Sequence, residues 1–271
     1  MAGVRGAGRS HREEMMNSLP IWVTYVLIVA FTLLAIECGY WLGRQWQRRY
    51  PDEKESGVGA LAGATLGLLA FLLALTMSMA VGRFDTRRQL VVAEANAIGT
   101  TFLRADYLDE PHRLEVRGLL RDYVDVRLSA TGTSSLPEIL ARSEDIHTSL
   151  WSHAVTVARE NKDSPTVALF IDALNNMIDL HTVRYIAVTN ASLPSAIWYA
   201  IFAVTFLTML MVGMQASFNP RQNFVALIML ALVFGAVVLL IADLSNPQEG
   251  ILNVSQQAML DLQRQLHAAT P

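Results

Sequence analysis

The chain contains 271 residues, of which 52% are hydrophobic and 17% charged, and its formal net charge at pH 7 is −3. This weakly acidic balance gives no reason to expect nucleic acid as a partner, because proteins that bind nucleic acid carry a basic surface. The single cysteine, Cys38, excludes an internal disulfide framework and a zinc site built from several cysteines.

Four long stretches are almost free of charged residues, whereas the rest of the chain is rich in them. Each is close to or above the roughly 20 residues that a helix needs to cross a hydrocarbon core about 30 Å thick. Aromatic residues cluster near their ends, which is typical of the interface between lipid and water. The sequence therefore predicts four membrane spans in a lipid bilayer, at 19–42, 57–81, 196–214 and 224–242.

The first span follows an N-terminal segment, residues 1–18. Its apolar run is too long for a signal peptide and no cleavage site follows it, so we expect it to be retained. Met15 and Met16 lie just before it and, like Met1, are possible start residues. A short basic loop joins spans one and two. Spans three and four are joined by a predicted tight turn, with Asn219 as N-cap and Pro220 at the first helical position.

Residues 82–195 are predicted to form a helical domain outside the membrane. Phe84 to Leu108 continues the helix of span two, because no helix-breaking pair separates them. Three further helices are predicted to begin near Pro111, at Ser135 in a capping box, and near Pro165. The domain is therefore a predicted bundle of four helices. Residues 243–271 are predicted to form a tail with an amphipathic helix at 255–267.

Span two carries small residues at steps of three or four, which place them on one helix face within about 140°. They are Gly59, Gly63, Gly67, Ala70, Ala74, Ser78 and Gly82. Small residues let helices approach closely in lipid. This face either packs inside one subunit or gathers copies of span two around a symmetry axis. In the second case Thr65, Thr76 and Ser78 would line an open pore.

Several polar residues stand in apolar surroundings. Glu37 is the only charge within a span, and because a buried carboxylate costs at least about 2.5 kcal/mol there, it should face protein or water or reach the interface. Glu94 and Asn96 interrupt an apolar stretch and are predicted to be buried with partners, since unpaired buried polar groups are costly. An ion pair with an arginine or a role in an ion pathway would explain Glu94. Asp243 is interpreted as an interface residue.

Arg83, Arg87 and Arg88 follow span two directly. They form either a charged collar at the membrane surface or a ring that concentrates anions at the mouth of a pore.

The usual sequence motifs of catalysis are missing: no nucleophile elbow, phosphate-binding loop, zinc-protease helix or dinucleotide fingerprint occurs. His147, His153 and His181 have no metal-ligand spacing with a nearby acidic set. A polar group on the last domain helix is interpreted as a solvated face, comprising Asn175, Asn176, Asp179, His181 and Arg184. We therefore expect neither an enzyme nor a cofactor nor a metal site.

Three segments carry a family resemblance: 68–80 (LLAFLLALTMSMA), 83–88 (RFDTRR) and 94–100 (EANAIGT). They resemble a bacterial membrane family of undefined function often called bestrophin-like, and 243–247 (DLSNP) resembles the second signature of that family. The four-span layout and the arginine-rich exit from span two are similar to bestrophins. That resemblance implies a pentameric anion channel whose second span lines the pore, although the aromatic-rich neck of bestrophins is absent here.

The predicted fold is an all-α four-span transmembrane bundle with an inserted extramembrane helical domain. The predicted function is a homo-oligomeric ion channel of the inner membrane, selective for chloride or another small anion. The alternative is a non-conducting membrane scaffold whose helical domain binds a partner. The short loops are denser in Arg and Lys, which favours a domain outside the cytoplasm, whereas the resemblance to bestrophins favours a cytoplasmic domain, the placement that we adopt.

Overall fold

The computed structural model describes residues 20–50, 56–129, 136–189, 193–218, 224–245 and 252–269. These ranges contain helices and no strand, which confirms the all-α prediction. The helices are α1 Ile21–Arg49, α2 Ser56–Arg104, α3 His112–Ser129, α4 Leu136–Glu160, α5 Pro165–Thr189, α6 Ser195–Ala216, α7 Phe224–Ser245 and α8 Gln257–Ala268, with a short 3-10 turn at Ala105–Tyr107. The N-terminal segment 1–18 and the predicted turn residues Asn219 and Pro220 lie outside the described residues.

In the part of the chain that the structure describes, four helices are long and apolar enough to cross a membrane, namely α1, α2, α6 and α7. The first runs past its apolar stretch to Arg49, because basic residues are favourable in the last turn of a helix and the next helix breaker is Pro51. The second has 49 residues and continues well beyond the predicted span, as the absence of a break indicated.

The chain divides into two compact units. The membrane unit comprises Met1–Phe84 and Ala191–Asn253, and the extramembrane unit comprises Asp85–Asn190 and Val254–Pro271. The C-terminal segment, which we predicted as a separate tail, therefore contributes α8 to the extramembrane unit. Its apolar residues Met259, Leu262 and Leu266 recur at helical spacing and are buried in the core of that unit.

Helices α1 and α6 approach so closely that their backbones touch. A Cβ atom on Gly39 would lie 1.9 Å from the carbonyl oxygen of Leu210, and one on Gly213 would lie 1.9 Å from that of Ile36. Only glycine fits at these two positions, because any side chain would overlap a backbone atom. Among the described residues, close contacts thus involve Gly39 on α1 and Gly213 on α6, whereas a Cβ atom on Gly63 or Gly67 of the span-two face would have no neighbour within 4 Å.

The extramembrane unit is built around a buried core contributed by α2 to α5 and α8. Its largest fully buried side chains include Tyr123, Phe170, Leu150 and Met177. The end of α8 is held by Arg121, whose guanidinium donates hydrogen bonds to the carbonyl oxygens of Leu266 (3.0 Å) and Ala269 (2.9 Å). Those carbonyl groups lack partners within their own helix, so the arginine completes the helix end.

Candidate functional site

The small-residue face of α2 is exposed in the membrane unit. A Cβ atom built on Gly63 or Gly67 would meet no other heavy atom within 4 Å, whereas one on Gly59 would lie 3.0 Å from the amide nitrogen of Gln215. Ala70, Ala74 and Ser78 are also exposed. Among the described glycines of this face, Gly59 lies close to α6, and a Cβ atom on Gly63 or Gly67 would have no neighbour within 4 Å.

The opposite face of α2 is buried against the other membrane helices, and it includes Thr76. Thr76 is only 2% exposed, and its hydroxyl donates to the carbonyl oxygen of Leu72 at 2.8 Å. Thr65 is half-buried and donates to the carbonyl oxygen of Ala62 at 3.0 Å. Two residues along a helix turn by about 200°, so Thr76 and Ser78 point to opposite sides. The expectation that Thr76 lines a pore beside Ser78 is corrected, because Thr76 is buried within the chain. The half-buried Thr65 lies on the same side of the helix as Thr76.

The three arginines after span two do not form an equivalent set. Arg88 is exposed, Arg83 is half-buried and Arg87 is only 5% exposed. The predicted ring is therefore corrected for Arg87, which lies within the protein. At about 100° per residue, Arg88 falls in the sector of the small residues, whereas Arg83 and Arg87 fall on the other side of the helix.

Glu37 is exposed on α1, where it lines an apolar groove of about 480 Å³ in the membrane unit. The carboxylate is the one charged group among the described residues that line this groove, which otherwise consists of aliphatic and aromatic side chains. Glu37 thus faces the outside of the single chain.

Asp243 was interpreted as an interface residue, but it is buried. Its side chain is 6% exposed, and its carboxylate accepts a hydrogen bond from the backbone nitrogen of Leu252 at 3.1 Å.

The extramembrane unit contains a buried ionic network centred on Glu94, which is 0% exposed. Arg184 donates to its Oε2 atom, and Arg127 Nε lies 3.0 Å from its Oε1 atom. The hydroxyl of Tyr123 donates to Oε1 at 2.7 Å. Two guanidinium groups and a phenol thus compensate one carboxylate. The prediction of a buried Glu94 with an arginine partner agrees with this geometry.

Two buried histidines extend the ionic network. The Nδ1 atom of His181 lies 2.9 Å from the hydroxyl of Tyr123. Because this hydroxyl donates its hydrogen bond to Glu94, it accepts one from the Nδ1–H group of His181. The ring of His147 packs edge-on against that of His181, with centroids 4.8 Å apart. Burial, followed by the other histidine, lowers the pKa of His147 to about 4. Burial, followed by Arg127, lowers the pKa of His181 to about 4. Both rings are neutral at pH 7.

Two sequence interpretations fail in this region. Asn96 is exposed, so the prediction that it is buried with a partner was wrong, because it lies two residues and thus about 200° from Glu94. His181 and Arg184 are buried, whereas Asn175, Asn176 and Asp179 are exposed. The solvated face that we expected on α5 is therefore real for three of the five residues. The other two belong to the ionic network. The i, i+3 spacing of His181 and Arg184 was the sequence signal that these two residues share one face of α5.

Packing also brings together three potential metal ligands that have no such spacing in the sequence. They are His112 and Glu115 on α3 and His153 on α4, and one ligand atom of each lies within 4.8 Å of the others. The Nδ1 atoms of the two histidines are 2.9 Å apart, and Nε2 of His153 is 3.4 Å from a carboxylate oxygen of Glu115. No metal-ligand spacing in the sequence points to His153, and packing of α3 against α4 is what brings it to His112 and Glu115.

Comparison with known proteins gives one family. The model of the Bestrophin-like domain matches residues 26–259. The fold is similar to a variant of a bacterial bestrophin homolog from Klebsiella pneumoniae, with a TM-score of 0.67, 15% identity, and coverage of 91% of this chain and 97% of that chain. Another structure of a bestrophin homolog from Klebsiella pneumoniae has a TM-score of 0.65 at 17% identity, with the same coverage of 91% and 97%. A variant described as a membrane protein has a TM-score of 0.65 at 13% identity, covering 93% of this chain and 100% of that one. No curated protein matches the sequence.

Proposed function

The chain belongs to the family defined by the Bestrophin-like domain, and from this premise we propose that it forms a homo-oligomeric anion channel in the inner membrane. Helix α2 is nearest to the axis, the subunit number is five by resemblance to bestrophins, and chloride is the representative ion.

The exposed small-residue face of α2 carries this proposal. The opposite face of α2 is buried within the chain. On the exposed face, a Cβ atom built on Gly63 or Gly67 would have no neighbour within 4 Å. Small residues at an exposed helix face in lipid favour contact with another helix, because they let backbones approach closely. Copies of α2 around an axis would use this face, with Ser78 as its hydroxyl group.

Arg88 supports the choice of anions. It is exposed, and it lies on the helix sector that the small residues occupy. A ring of such arginines, one from each subunit, would raise the local concentration of anions at a pore mouth.

Chloride efflux from liposomes tests the channel. Purified protein in chloride-loaded liposomes should release chloride, and the bulky variant Ser78→Phe should reduce the rate because it fills the lumen. The matched control is Thr76→Val, which changes a buried hydroxyl on the opposite face and should leave the rate nearly unchanged. Liposomes that stay chloride-tight with the parent and with Ser78→Ala would contradict the channel and favour the alternative, a non-conducting scaffold that binds a partner through its helical unit.

The extramembrane unit lies in the cytoplasm in this proposal. Cys38 is the single cysteine, so Cys38→Ser gives a background without thiols. An exposed position of the extramembrane unit, Asn96→Cys, is then probed with a membrane-impermeant maleimide. Labelling should require permeabilised cells. Labelling in intact cells would place the unit on the other side.

A further inference from the structure

Two helices of the extramembrane unit present a mixed cluster of two histidines and one carboxylate. His112 and Glu115 are three residues apart on α3 and therefore share a helix face, and His153 meets them from α4. The two histidines are half-buried and Glu115 is exposed, so the cluster is reachable from solvent. Glu110 is not part of the cluster, because its carboxylate is paired with Arg113.

The ligand atoms of this cluster lie close enough for one ion to reach all three residues, because one ligand atom of each lies within 4.8 Å of the others. Zinc binds histidine nitrogen and carboxylate oxygen at about 2.0–2.2 Å, so two of its ligand atoms lie about 3.4 Å apart. The observed separations are 2.9 Å between the Nδ1 atoms of His112 and His153, and 3.4 Å between His153 Nε2 and Glu115. These two contacts use different nitrogens of His153, so only one nitrogen of its ring can bind the ion and the side chains must shift for all three residues to bind it together.

We propose that His112, Glu115 and His153 form a binding site for Zn²⁺, one per chain. Two imidazole ligands favour a transition metal over Mg²⁺ or Ca²⁺, which prefer oxygen ligands. Three protein ligands leave a fourth position for water. The ion would join the first turn of α3 to α4, so it would clip together two helices of the extramembrane unit. This proposal is independent of the channel function.

Zinc binding to the purified full-length protein tests the site. After removal of metal with a chelator, the protein is titrated with Zn²⁺ in competition with a chromophoric chelator of known affinity. We expect one zinc per chain and a higher melting temperature with zinc, because a ligand that binds the folded state stabilises it. Mg²⁺ should produce neither effect. His112→Ala, His153→Ala and Glu115→Gln should each weaken zinc binding at least about tenfold, since losing even a residue that only supports a ligand costs 10–100-fold.

The matched control is His267→Ala. His267 Nε2 lies 3.6 Å from an oxygen of Asp125, so it is also a histidine beside a carboxylate, but among the described residues this pair has no third ligand. This variant should keep the affinity of the parent. Glu115→Gln alters an exposed side chain and should fold normally by circular dichroism, so a loss of binding there is not a loss of fold. Equal zinc affinity in the parent and in the three cluster variants, or an equal loss in His267→Ala, would overturn the proposal.

Discussion

Glu94 is the residue on which the extramembrane unit depends most. Its carboxylate is fully buried, and Arg127, Arg184 and Tyr123 all direct polar hydrogens at it. Burying the carboxylate and guanidinium groups costs several kcal/mol each, so the network stabilises the unit only while every member is present. Glu94 and these three partners come from α2, α3 and α5, and the network therefore also defines how these three helices align.

Removing this carboxylate should destabilise the unit strongly. Glu94→Ala leaves two guanidinium groups buried without their counter-ion, and breaking a buried ion pair costs about 3–5 kcal/mol. We expect a clear fall in the melting temperature of the protein in detergent. Asn96→Ala, on the exposed side of the same helix, is the control and should melt like the parent. Equal melting of Glu94→Ala and the parent would show that the network contributes little.

The two buried histidines should make the stability of the unit depend on pH. Their pKa values are lowered to about 4, mainly by burial, whereas a histidine of the unfolded chain has a pKa of about 6.5. Between these values the unfolded chain binds more protons, so stability is complete above about pH 6.5 and is lost as the pH falls towards 4. At 1.4 kcal/mol per pKa unit, going from pH 7 to pH 5 costs at most about 2 kcal/mol per histidine.

Thermal unfolding at pH 7 and pH 5 measures this effect. The parent should melt at a lower temperature at pH 5. In His147→Gln one of the two titrating groups is gone, so the difference between the two pH values should shrink by about half, by proton linkage. His267→Gln changes a half-exposed histidine and should keep the full difference. A melting temperature that is the same at pH 7 and pH 5 would argue against neutral buried histidines.

At the scale of elements, the contact between α1 and α6 is decided by two glycines. A Cβ atom at Gly213 would lie 1.9 Å from the carbonyl oxygen of Ile36, so Gly213→Ala must push the helices apart. We expect it to lower the melting temperature and the yield of folded protein. Gly63→Ala is the matched control, because it adds the same methyl group at a position with no neighbour within 4 Å in the chain. Loss of stability in Gly63→Ala alone would contradict the assigned contacts.

Arg88 is exposed on α2 beyond the predicted span, and its charge predicts a chloride flux that depends on the salt concentration. If it concentrates anions, Arg88→Gln should reduce chloride flux at 0.1 M salt, and the reduction should shrink at 1 M. The Debye length falls from about 10 Å to about 3 Å between these concentrations, so the arginine acts over a shorter range. Arg142→Gln removes an exposed charge from α4 and should change neither rate. A reduction that is equal at both salt concentrations would indicate a structural role for Arg88.

At the scale of the whole molecule, the exposed face of α2 predicts assembly. Gly63→Leu or Gly67→Leu adds a bulky side chain where no atom of the same chain lies within 4 Å of a built Cβ atom, so it should break an oligomer without disturbing the chain itself. Native mass spectrometry of the detergent-solubilised protein measures the subunit number. Ala30→Leu adds similar bulk on an exposed position of α1 and is the control. An unchanged oligomer in both glycine variants would exclude this face as the contact.

Much of the helical architecture could be predicted from the sequence. Hydrophobic runs identify the spans, since a helix of about 20 apolar residues is the simplest chain segment that satisfies its own backbone in lipid. Local signals such as Ser164-Pro165 placed the start of α5 correctly, at Pro165. Burial of Glu94 was also predicted, because Glu94 interrupts an apolar stretch, although the same reasoning was wrong for Asn96.

What only the tertiary structure decided is which helix faces meet. The partners of Glu94 are 29, 33 and 90 residues away, and His112 and His153 are 41 residues apart, so no local spacing connects them. Thr76 and Arg87 lie on the side of α2 opposite the small residues, which helix periodicity already indicates, but only the structure shows that this side is the buried one. Periodicity determines that a helix has two faces, because side chains step by about 100° along it. Packing alone determines which of these faces another helix covers.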